Sequence, residues 1–249
     1  MSDALLERLR VALSAAADPA RAEAQQAYMK SPMPFHGVDA TGCRAICKAT
    51  FASYGFDDAA AWRADVLAIW RGATHREERY AAIALASSPR ARPLQGLASG
   101  RSGRGRVLGD AATNAREALA LYEDMVVEGA WWDLVDPIAT HLVGDLFAPH
   151  ASMLREAMIA WSDGTNLWKR RSAIICQVRR AQATDRELLA HTIRAAVDDR
   201  TFWLRKAIGW ALRAYARTDP EWVRAEVDAL GDRLSGLSRR EALKHLGTG

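Results

Sequence analysis

The sequence predicts an all-α protein, and three features of its 249 residues carry that prediction. Alanine, leucine and arginine dominate, and all three residues favour helices. Apolar residues recur at helical spacing, whereas the alternation that half-buried strands need is missing. Helix-start signals also recur along the chain. We therefore expect many medium-length helices with short connections, which is typical of stacked antiparallel helix pairs.

Capping signals justify the helices in order along the chain. Asp18-Pro19 and Asp219-Pro220 each place an N-cap residue before a proline at the first helical position. The stretches 184–187 (TDRE) and 238–241 (SRRE) each read as a capping box followed by apolar periodicity. With the periodicity, these signals predict helices near 3–16, 19–29, 40–54, 58–70, 75–87, 110–128, 134–148, 151–161, 166–180, 185–197, 201–217, 220–229 and 238–246.

One segment, 89–110, breaks this pattern because it is rich in arginine, glycine, serine and proline. Its glycines oppose a helix, and it offers little to bury. We expect a flexible surface loop within an otherwise single domain. The loop is either a tolerated insertion or a basic arm that adds salt-sensitive affinity for phosphates. Its arginines are Arg90, Arg92, Arg101, Arg104 and Arg106.

Composition and the placement of charge narrow the class of protein. Hydrophobic residues make up 49% of the chain and charged residues 26%, which is an ordinary globular composition. The net charge of +4 does not by itself indicate a nucleic-acid partner. However, basic residues cluster after residue 160, often beside tryptophan, and this placement favours a polyanion.

Several function classes lack their signatures in this sequence. Cys43, Cys47 and Cys176 are too few for a disulfide framework, so a reducing, cytoplasmic or nucleoid location is expected. Cys43 and Cys47 read as core residues, because a zinc site would need further ligands nearby. The phosphate-binding, dinucleotide-binding and nucleophile-elbow motifs are missing. No signal peptide or long apolar segment is evident, and we expect no metal and no cofactor.

The first candidate site is the stretch 131–137 (WWDLVDP). On a helix, Trp132 and Asp136 lie one turn apart and share a face. An indole ring beside a carboxylate suits a cationic ligand. The alternative is that Asp133 or Asp136 caps the helix, with Pro137 in its first turn.

The second candidate site is a stripe on the helix 201–217. Lys206, Trp210, Arg213 and Arg217 follow helical spacing and place three cations around one indole ring. Like charges at this spacing repel, so the stripe fits a surface that receives phosphates while the ring meets sugar or base. The alternative is a solvated face with Trp210 half-buried.

Two further stretches carry candidate contacts to a phosphate or another ligand. In 166–171 (NLWKRR), Arg170 and Arg171 lie near a helix start, where an incoming phosphate would offset the unfavourable macrodipole. The alternative is that these arginines are ordinary surface residues. In 27–38, prolines and a glycine end a helix, and Tyr28 and Lys30 are placed where they could reach a ligand.

Together these stretches resemble the AlkD-type DNA alkylation repair family, the HEAT-like-repeat DNA glycosylases. The matching segments occur in the same order along nearly the whole chain. They are YMKSPMPFHGV (28–38), WWDLVDPIA (131–139), NLWKRRSAI (166–174), FWLRKAIGWALRAYA (202–216) and LSRREALKH (237–245). The segment 89–110 looks like an insertion relative to a plain member, so the resemblance implies no role for it.

The resemblance implies a curved solenoid of antiparallel helix pairs whose concave, basic cleft holds double-stranded DNA. It implies excision of cationic N-alkylated purines, such as 3-methyladenine and 7-methylguanine, without base flipping. Asp136 would be the catalytic carboxylate, and Trp132 and Trp210 would hold the deoxyribose of the lesion. Arg171 and Arg213 would contact the DNA backbone, with Tyr28 near it at the cleft wall. We expect a monomer without an obligate protein partner or a membrane.

Two other functions are compatible with the sequence. A member of the same family could keep the cleft and lose the chemistry, which would leave a DNA-binding or structure-sensing protein. A helical-repeat adaptor for other proteins is the third interpretation, and the stripe of cations around Trp210 argues against it. Fold membership alone does not establish activity.

Overall fold

A computed structural model describes residues 2–99 and 108–246, and every regular element in these two ranges is helical. The α-helices are α1 (Ser2–Ala15), α2 (Pro19–Met29), α3 (Ala40–Phe51), α4 (Ala59–Gly72), α5 (Arg76–Ala86), α6 (Ala111–Gly129), α7 (Trp132–Pro137), α8 (Gly144–Leu146), α9 (Ala151–Asp163), α10 (Leu167–Ile175), α11 (Arg186–Arg194), α12 (Phe202–Tyr215), α13 (Pro220–Leu230) and α14 (Gly236–Ala242). The predicted all-α class is confirmed. Within the same ranges, no helix is long and apolar enough to cross a membrane.

The chain divides into two compact units, Met1–Leu121 and Tyr122–Gly249. In the first unit, α5 packs against α3 and α4, and α1 packs against all three. Three of its helices, α2, α3 and α4, start at aspartates: Asp18, Asp39 and Asp58 each accept a hydrogen bond from a backbone N–H in the first turn. Trp62 and Trp70 on α4 are completely buried and fill the core of this unit.

In the second unit, α10 packs against α9 and α12, and α12 packs against α14. Apolar side chains from α10 to α14, such as Ile174, Ile208 and Val227, form one continuous core. The close approach of α12 and α14 requires Gly209, because a Cβ atom there would lie 2.6 Å from Cβ of Glu241. This approach brings Glu241 alongside the exposed face of α12.

The helix that carries Asp136 changes its winding directly after that residue. α7 is followed by a π-helical segment, Ile138–Val143, and then by α8. Pro137 has no N–H to donate to the preceding turn, which favours a local break in the α-helical ladder. The Thr140 hydroxyl donates to the Asp136 carbonyl at 2.8 Å. Single π turns of this kind are frequent at functional sites.

Two predicted helix starts are confirmed and two are shifted. Asp18 and Asp219 are N-caps with a proline following them. The helix predicted from the capping box at 184–187 is capped by Asp185 and not by Thr184. The predicted capping box at 238–241 is wrong, because Ser235 caps α14. The Ser238 hydroxyl instead donates to a backbone carbonyl of α12.

The prediction of a surface loop over 89–110 is wrong for the first part of that segment. Pro89–Gln95 form a 3₁₀ helix, and Ala91, Leu94 and Leu97 are buried. Ala91 and Leu94 share one face of this 3₁₀ helix, which has three residues per turn, and Leu97 follows the helix and also anchors the segment. The composition of the segment hid this short apolar spacing. Arg101, Arg104 and Arg106 lie outside the described residues.

Candidate active site

The second unit holds a buried ion pair between two of the predicted site residues. Nε and Nη2 of Arg171 donate to Oδ1 and Oδ2 of Asp136 at 2.7 and 2.8 Å. The Arg171 side chain is 5% exposed and the Asp136 side chain 16%. A bidentate pair fixes both the position and the plane of the carboxylate. The Asp136 carboxylate is therefore held in one orientation and keeps a small solvent-exposed fraction.

Asp136 does not cap its helix. Trp131 occupies the N-cap position of α7 without a side-chain cap, and Asp136 lies inside the helix. Its carboxylate instead reaches α10, where Arg171 lies. The alternative interpretation of Asp136 as a capping residue is therefore wrong. Asp133, the other candidate, lies in the first turn of α7.

Arg171 makes a third hydrogen bond that holds it against α12. Its Nη1 donates to the Trp203 carbonyl at 2.6 Å, and its guanidinium lies 5.9 Å from the centre of the Trp203 ring. Three nitrogens of the guanidinium are thus engaged within the protein. The sequence predicted that Arg171 contacts the DNA backbone, and that contact would have to compete with these bonds.

Three tryptophans form an aromatic cluster beside Arg171, which the sequence did not predict. The ring centres of Trp131 and Trp203 lie 5.2 Å apart, those of Trp168 and Trp203 5.7 Å, and those of Trp131 and Trp168 6.1 Å. The three rings come from segments far apart in the chain, so no local spacing marks them. Trp203 connects this cluster to Arg171 through both its carbonyl and its ring.

Burial raises the pKa of Asp136 above its ordinary value, although the Arg171 hydrogen bonds and charge oppose the shift. The negative charge of nearby Asp133 adds to the rise. A carboxyl group with a raised pKa accepts a proton more readily than an exposed aspartate does. Residues with such environments are frequent among catalytic acids and bases.

The two predicted catalytic tryptophans lie on α7 and α12. Trp132 is the first residue of α7, one turn before Asp136, and it is half-buried. Trp210 is also half-buried and packs against the core of the second unit. Among the described residues, neither indole packs against another aromatic ring. Their proposed contact with a deoxyribose remains a prediction.

The predicted stripe of free cations on α12 is in fact partly neutralised. Lys206 Nζ lies 3.5 Å from Glu241 Oε2, and Arg213 Nη1 donates to Oε1 of the same carboxylate. Arg217 lies beyond the end of α12 and is exposed. The argument that like charges on this stripe repel without compensation is therefore wrong, because Glu241 lies between two of them. The predicted DNA contacts of these cations stay untested.

The start of α10 is also occupied within the protein. The Asn166 side chain accepts hydrogen bonds from the backbone N–H groups of Trp168 and Lys169, both at 3.0 Å. Arg170 Nη1 donates to Asp199 Oδ2 at 2.6 Å. These N–H groups at the helix start are thus already capped by Asn166, so a phosphate would have to displace its side chain to bind them.

The remaining predicted DNA contacts belong to the first unit. Tyr28 lies on α2 and is 77% exposed, which makes it the most exposed of the large hydrophobic residues described. Lys30 ends α2 in the left-handed conformation, with φ of 49°, and is also exposed. Both side chains are accessible to a ligand, and their contact with DNA remains a prediction.

One group of side chains in the described residues has the composition of a metal site. His36, His75 and Glu78 lie together in the first unit, and the sequence analysis did not predict them. The cysteines do not join this group. Cys43 and Cys47 are buried on α3, which confirms their interpretation as core residues.

Comparison with known proteins identifies the family. A family model described as DNA alkylation repair enzyme matches residues 9–246. The structure is similar to a predicted DNA alkylation repair enzyme from Enterococcus faecalis, with a TM-score of 0.77 and 28% sequence identity. The similarity covers 94% of this chain and 98% of that one. The curated proteins contain no significant match.

Proposed function

The chain belongs to the family of DNA alkylation repair enzymes, and from that premise we propose that it is a monofunctional DNA N-glycosylase. Its substrates are cationic N-alkylated purines of the 3-methyladenine and 7-methylguanine type in double-stranded DNA. The whole chain works as one functional domain and as a monomer. The observation that carries the proposal is the half-buried Asp136 carboxylate, which Arg171 holds rigidly one helical turn from Trp132.

The reaction breaks the bond between C1′ of the deoxyribose and the alkylated purine nitrogen. The bonding electrons leave with the purine, which is already a cation and departs as a neutral base. Positive charge develops on the sugar, and the Asp136 carboxylate stabilises that charge. A water molecule then forms the new C1′–O bond and gives its proton to Asp136, whose raised pKa suits a base. The product is an abasic site.

The tryptophans and Arg171 assist in different ways. Trp132 and Trp210 pack against the sugar, where an indole face stabilises a cation by about 0.5–2 kcal/mol. Arg171 acts as a positioning residue, because its three hydrogen bonds hold Asp136 in one orientation. This role differs from the DNA contact that the family resemblance implied. Neutral lesions lack the charged leaving group and should be poor substrates.

Duplex DNA is held by cations whose side chains are partly or fully exposed, and by an aromatic residue. The proposed contacts are Tyr28, Lys30, Arg170, Lys206, Arg213 and Arg217. Lys206, Arg170 and Arg213 already have carboxylate partners within the protein. A phosphate must therefore replace or share these carboxylates, which lowers the net gain from each contact.

The decisive experiment measures base release from methylated duplex DNA with purified protein and with Asp136→Asn. We expect the variant to fold and to bind DNA, but to release 7-methylguanine at least about a hundredfold more slowly. Asp198→Asn is a matched control, because Arg233 also contacts both oxygens of that carboxylate, at 3.0 and 2.7 Å, but in an exposed position. Equal rates for Asp136→Asn and wild type would refute the mechanism.

A non-catalytic DNA-binding protein is the second candidate, and one observation favours it. The bidentate ion pair could serve stability alone, since Arg171 already neutralises the carboxylate that the chemistry requires. The same assay separates the two functions. Duplex binding without base release by the wild-type protein would establish the binding protein.

A further inference from the structure

The first unit contains three potential metal ligands that the proposed reaction does not use. His36 lies in the segment between α2 and α3, His75 is the N-cap residue of α5, and Glu78 lies in the first turn of α5. One ligand atom from each side chain lies within 4.8 Å of the other two. Glu78 is completely buried and His36 nearly so, so this carboxylate must be neutralised by a cation.

The distances between these ligand atoms fit a small divalent ion after a modest contraction. His36 Nε2 lies 3.4 Å and His75 Nδ1 3.7 Å from Glu78 Oε1. Zinc–nitrogen and zinc–oxygen bonds of about 2.0–2.2 Å place neighbouring ligands of a tetrahedral site about 3.4 Å apart. Two histidines with one glutamate are also a known zinc-binding set that leaves a fourth position for water. The present contacts are long for hydrogen bonds, so an ion could replace them.

The groups around the three ligands hold them in place, as metal sites require. The backbone N–H of Thr74 donates to Glu78 Oε2 at 2.9 Å, and the Thr74 hydroxyl donates to Oε1 at 3.2 Å. Glu77 accepts hydrogen bonds from the backbone N–H groups of residues 36–38 at 2.9–3.1 Å. These bonds fix the backbone of His36 relative to α5 without using its ring.

The two imidazole rings are stacked, with their centres 3.8 Å apart and an interplanar angle of 17°. Because a metal ion lies in the plane of an imidazole ligand, the partly exposed His75 ring must rotate out of this stack before both rings can bind one ion. His75 Nδ1 now lies 3.0 Å from the Thr74 hydroxyl, and binding of an ion would replace this contact.

Arg10 provides the cation that currently faces Glu78. Its Nε and Nη2 lie 3.3 Å from the carboxylate oxygens, and its side chain is 30% exposed. A long, partly exposed side chain can swing into solvent when a more strongly bound cation arrives. Arg10 and a metal ion would thus compete for one carboxylate.

We propose that His36, His75 and Glu78 form a binding site for a zinc-class divalent ion, which displaces Arg10. The ion links the segment before α3 to the start of α5 and stabilises the first unit. It is not part of the proposed base-release chemistry, and the proposal is independent of that function. The expectation that the protein has no metal site would then be wrong for this unit.

The test uses the full chain after treatment with a chelator. Zn²⁺ is titrated by calorimetry and Co²⁺ by its visible absorption, and we expect one ion per chain with nitrogen and oxygen ligands. His75→Ala should lower the affinity at least about tenfold, since metal ligands and the residues that support them each contribute on this scale. Arg10→Met should raise the affinity for both ions, because it removes the competing cation. A site that were only a structural ion pair would not respond in this way.

Two control variants exclude other ligands. His191→Ala removes a histidine that pairs with one aspartate at 3.1 Å in the second unit, and it should not change binding. Cys43→Ser removes a buried thiol on α3 and should also leave binding unchanged. Circular dichroism checks that His75→Ala is folded, and its ring is 32% exposed, so the substitution is tolerable. The proposal is overturned if wild type and Arg10→Met bind no ion, if binding survives His75→Ala, or if it disappears in Cys43→Ser.

Discussion

Two buried carboxylates, one in each unit, differ in how the protein stabilises their charge. Asp136 receives its side-chain hydrogen bonds from one residue, Arg171. The Glu78 carboxylate contacts the side chains of Arg10 and His36 and accepts a hydrogen bond from the backbone N–H of Thr74. Burial raises the pKa of both groups, and it prevails at Asp136. At Glu78 the sum of the hydrogen bonds and the Arg10 charge outweighs burial, and the pKa is lowered.

The comparison shows that burial alone does not determine the state of a carboxylate. Glu78 is more deeply buried than Asp136 and still favours the ionised form more strongly. The number of donors, and whether they belong to the backbone, decides the balance. A carboxylate that is held by one side chain and stays partly exposed can exchange a proton with a substrate or water. A carboxylate surrounded by several donors serves to join structural elements.

The largest expected effect is a difference in stability between two variants, one that removes Arg171 and one that removes Arg10. Arg171→Met leaves Asp136 buried without a partner, which should destabilise the protein by about 3–5 kcal/mol. Arg10→Met should cost about 1 kcal/mol in metal-free protein, because Arg10 is partly exposed and Glu78 keeps its other donors. Chemical denaturation measures both values. Similar losses in the free energy of unfolding for the two variants would contradict the proposed difference between Asp136 and Glu78.

Base release separates positioning by Arg171 from a purely structural role. Arg171→Lys keeps the charge but cannot make the bidentate pair, so we expect base release to fall about tenfold with stability largely retained. Wild-type activity in this variant would mean that the orientation of Asp136 does not depend on Arg171.

Glu78 should contribute to stability in a pH-dependent way. Its folded-state pKa lies below the ordinary value of 4.5, so the contribution is present above that value and is lost as the pH falls through the folded pKa. Glu78→Gln should lower the free energy of unfolding at neutral pH by about 1–3 kcal/mol and flatten its decline in acid. Glu187→Gln is the control, because that side chain is 85% exposed. An unchanged acid profile in Glu78→Gln would assign the decline to other groups.

Asp136 should shift the acidic limb of base release towards higher pH, the opposite of the direction expected for Glu78. The reaction needs the ionised carboxylate, so the rate falls as the pH drops through the folded pKa. Because burial raises that pKa, the acidic limb should lie above the ordinary value of 3.8. Single-turnover rates, corrected for spontaneous depurination, measure the limb. A limb at or below 3.8 would show that Arg171 outweighs burial.

The smallest expected effect concerns Glu241, a partly exposed carboxylate with two cationic partners. Glu241→Gln releases Lys206 and Arg213, so duplex affinity should rise about fivefold at low salt and converge with wild type at high salt. Fluorescence anisotropy at several salt concentrations measures both effects. A decrease in affinity would indicate that Glu241 positions the two cations for DNA.

Most helices could be predicted because their signals are local. The Asp18-Pro19 and Asp219-Pro220 starts depend on neighbouring residues, and both are confirmed. The errors arose where a longer-range contact overrides a local signal. Ser238 matches a capping box in sequence, but its hydroxyl bonds to α12. The segment after residue 89 has the composition of a loop, yet Leu94 and Leu97 anchor it in the core.

The sequence by itself determined the helical class, most of the helix starts and the residue types of the candidate site. Only the tertiary structure decided the partners. Asp136 and Arg171 are 35 positions apart, and Arg213 and Glu241 are 28 apart. Helix spacing within one segment specifies which residues share a face, but not which charge lies opposite. That choice depends on how helices pack, and it separates a carboxylate able to act on a substrate from one that stabilises the fold.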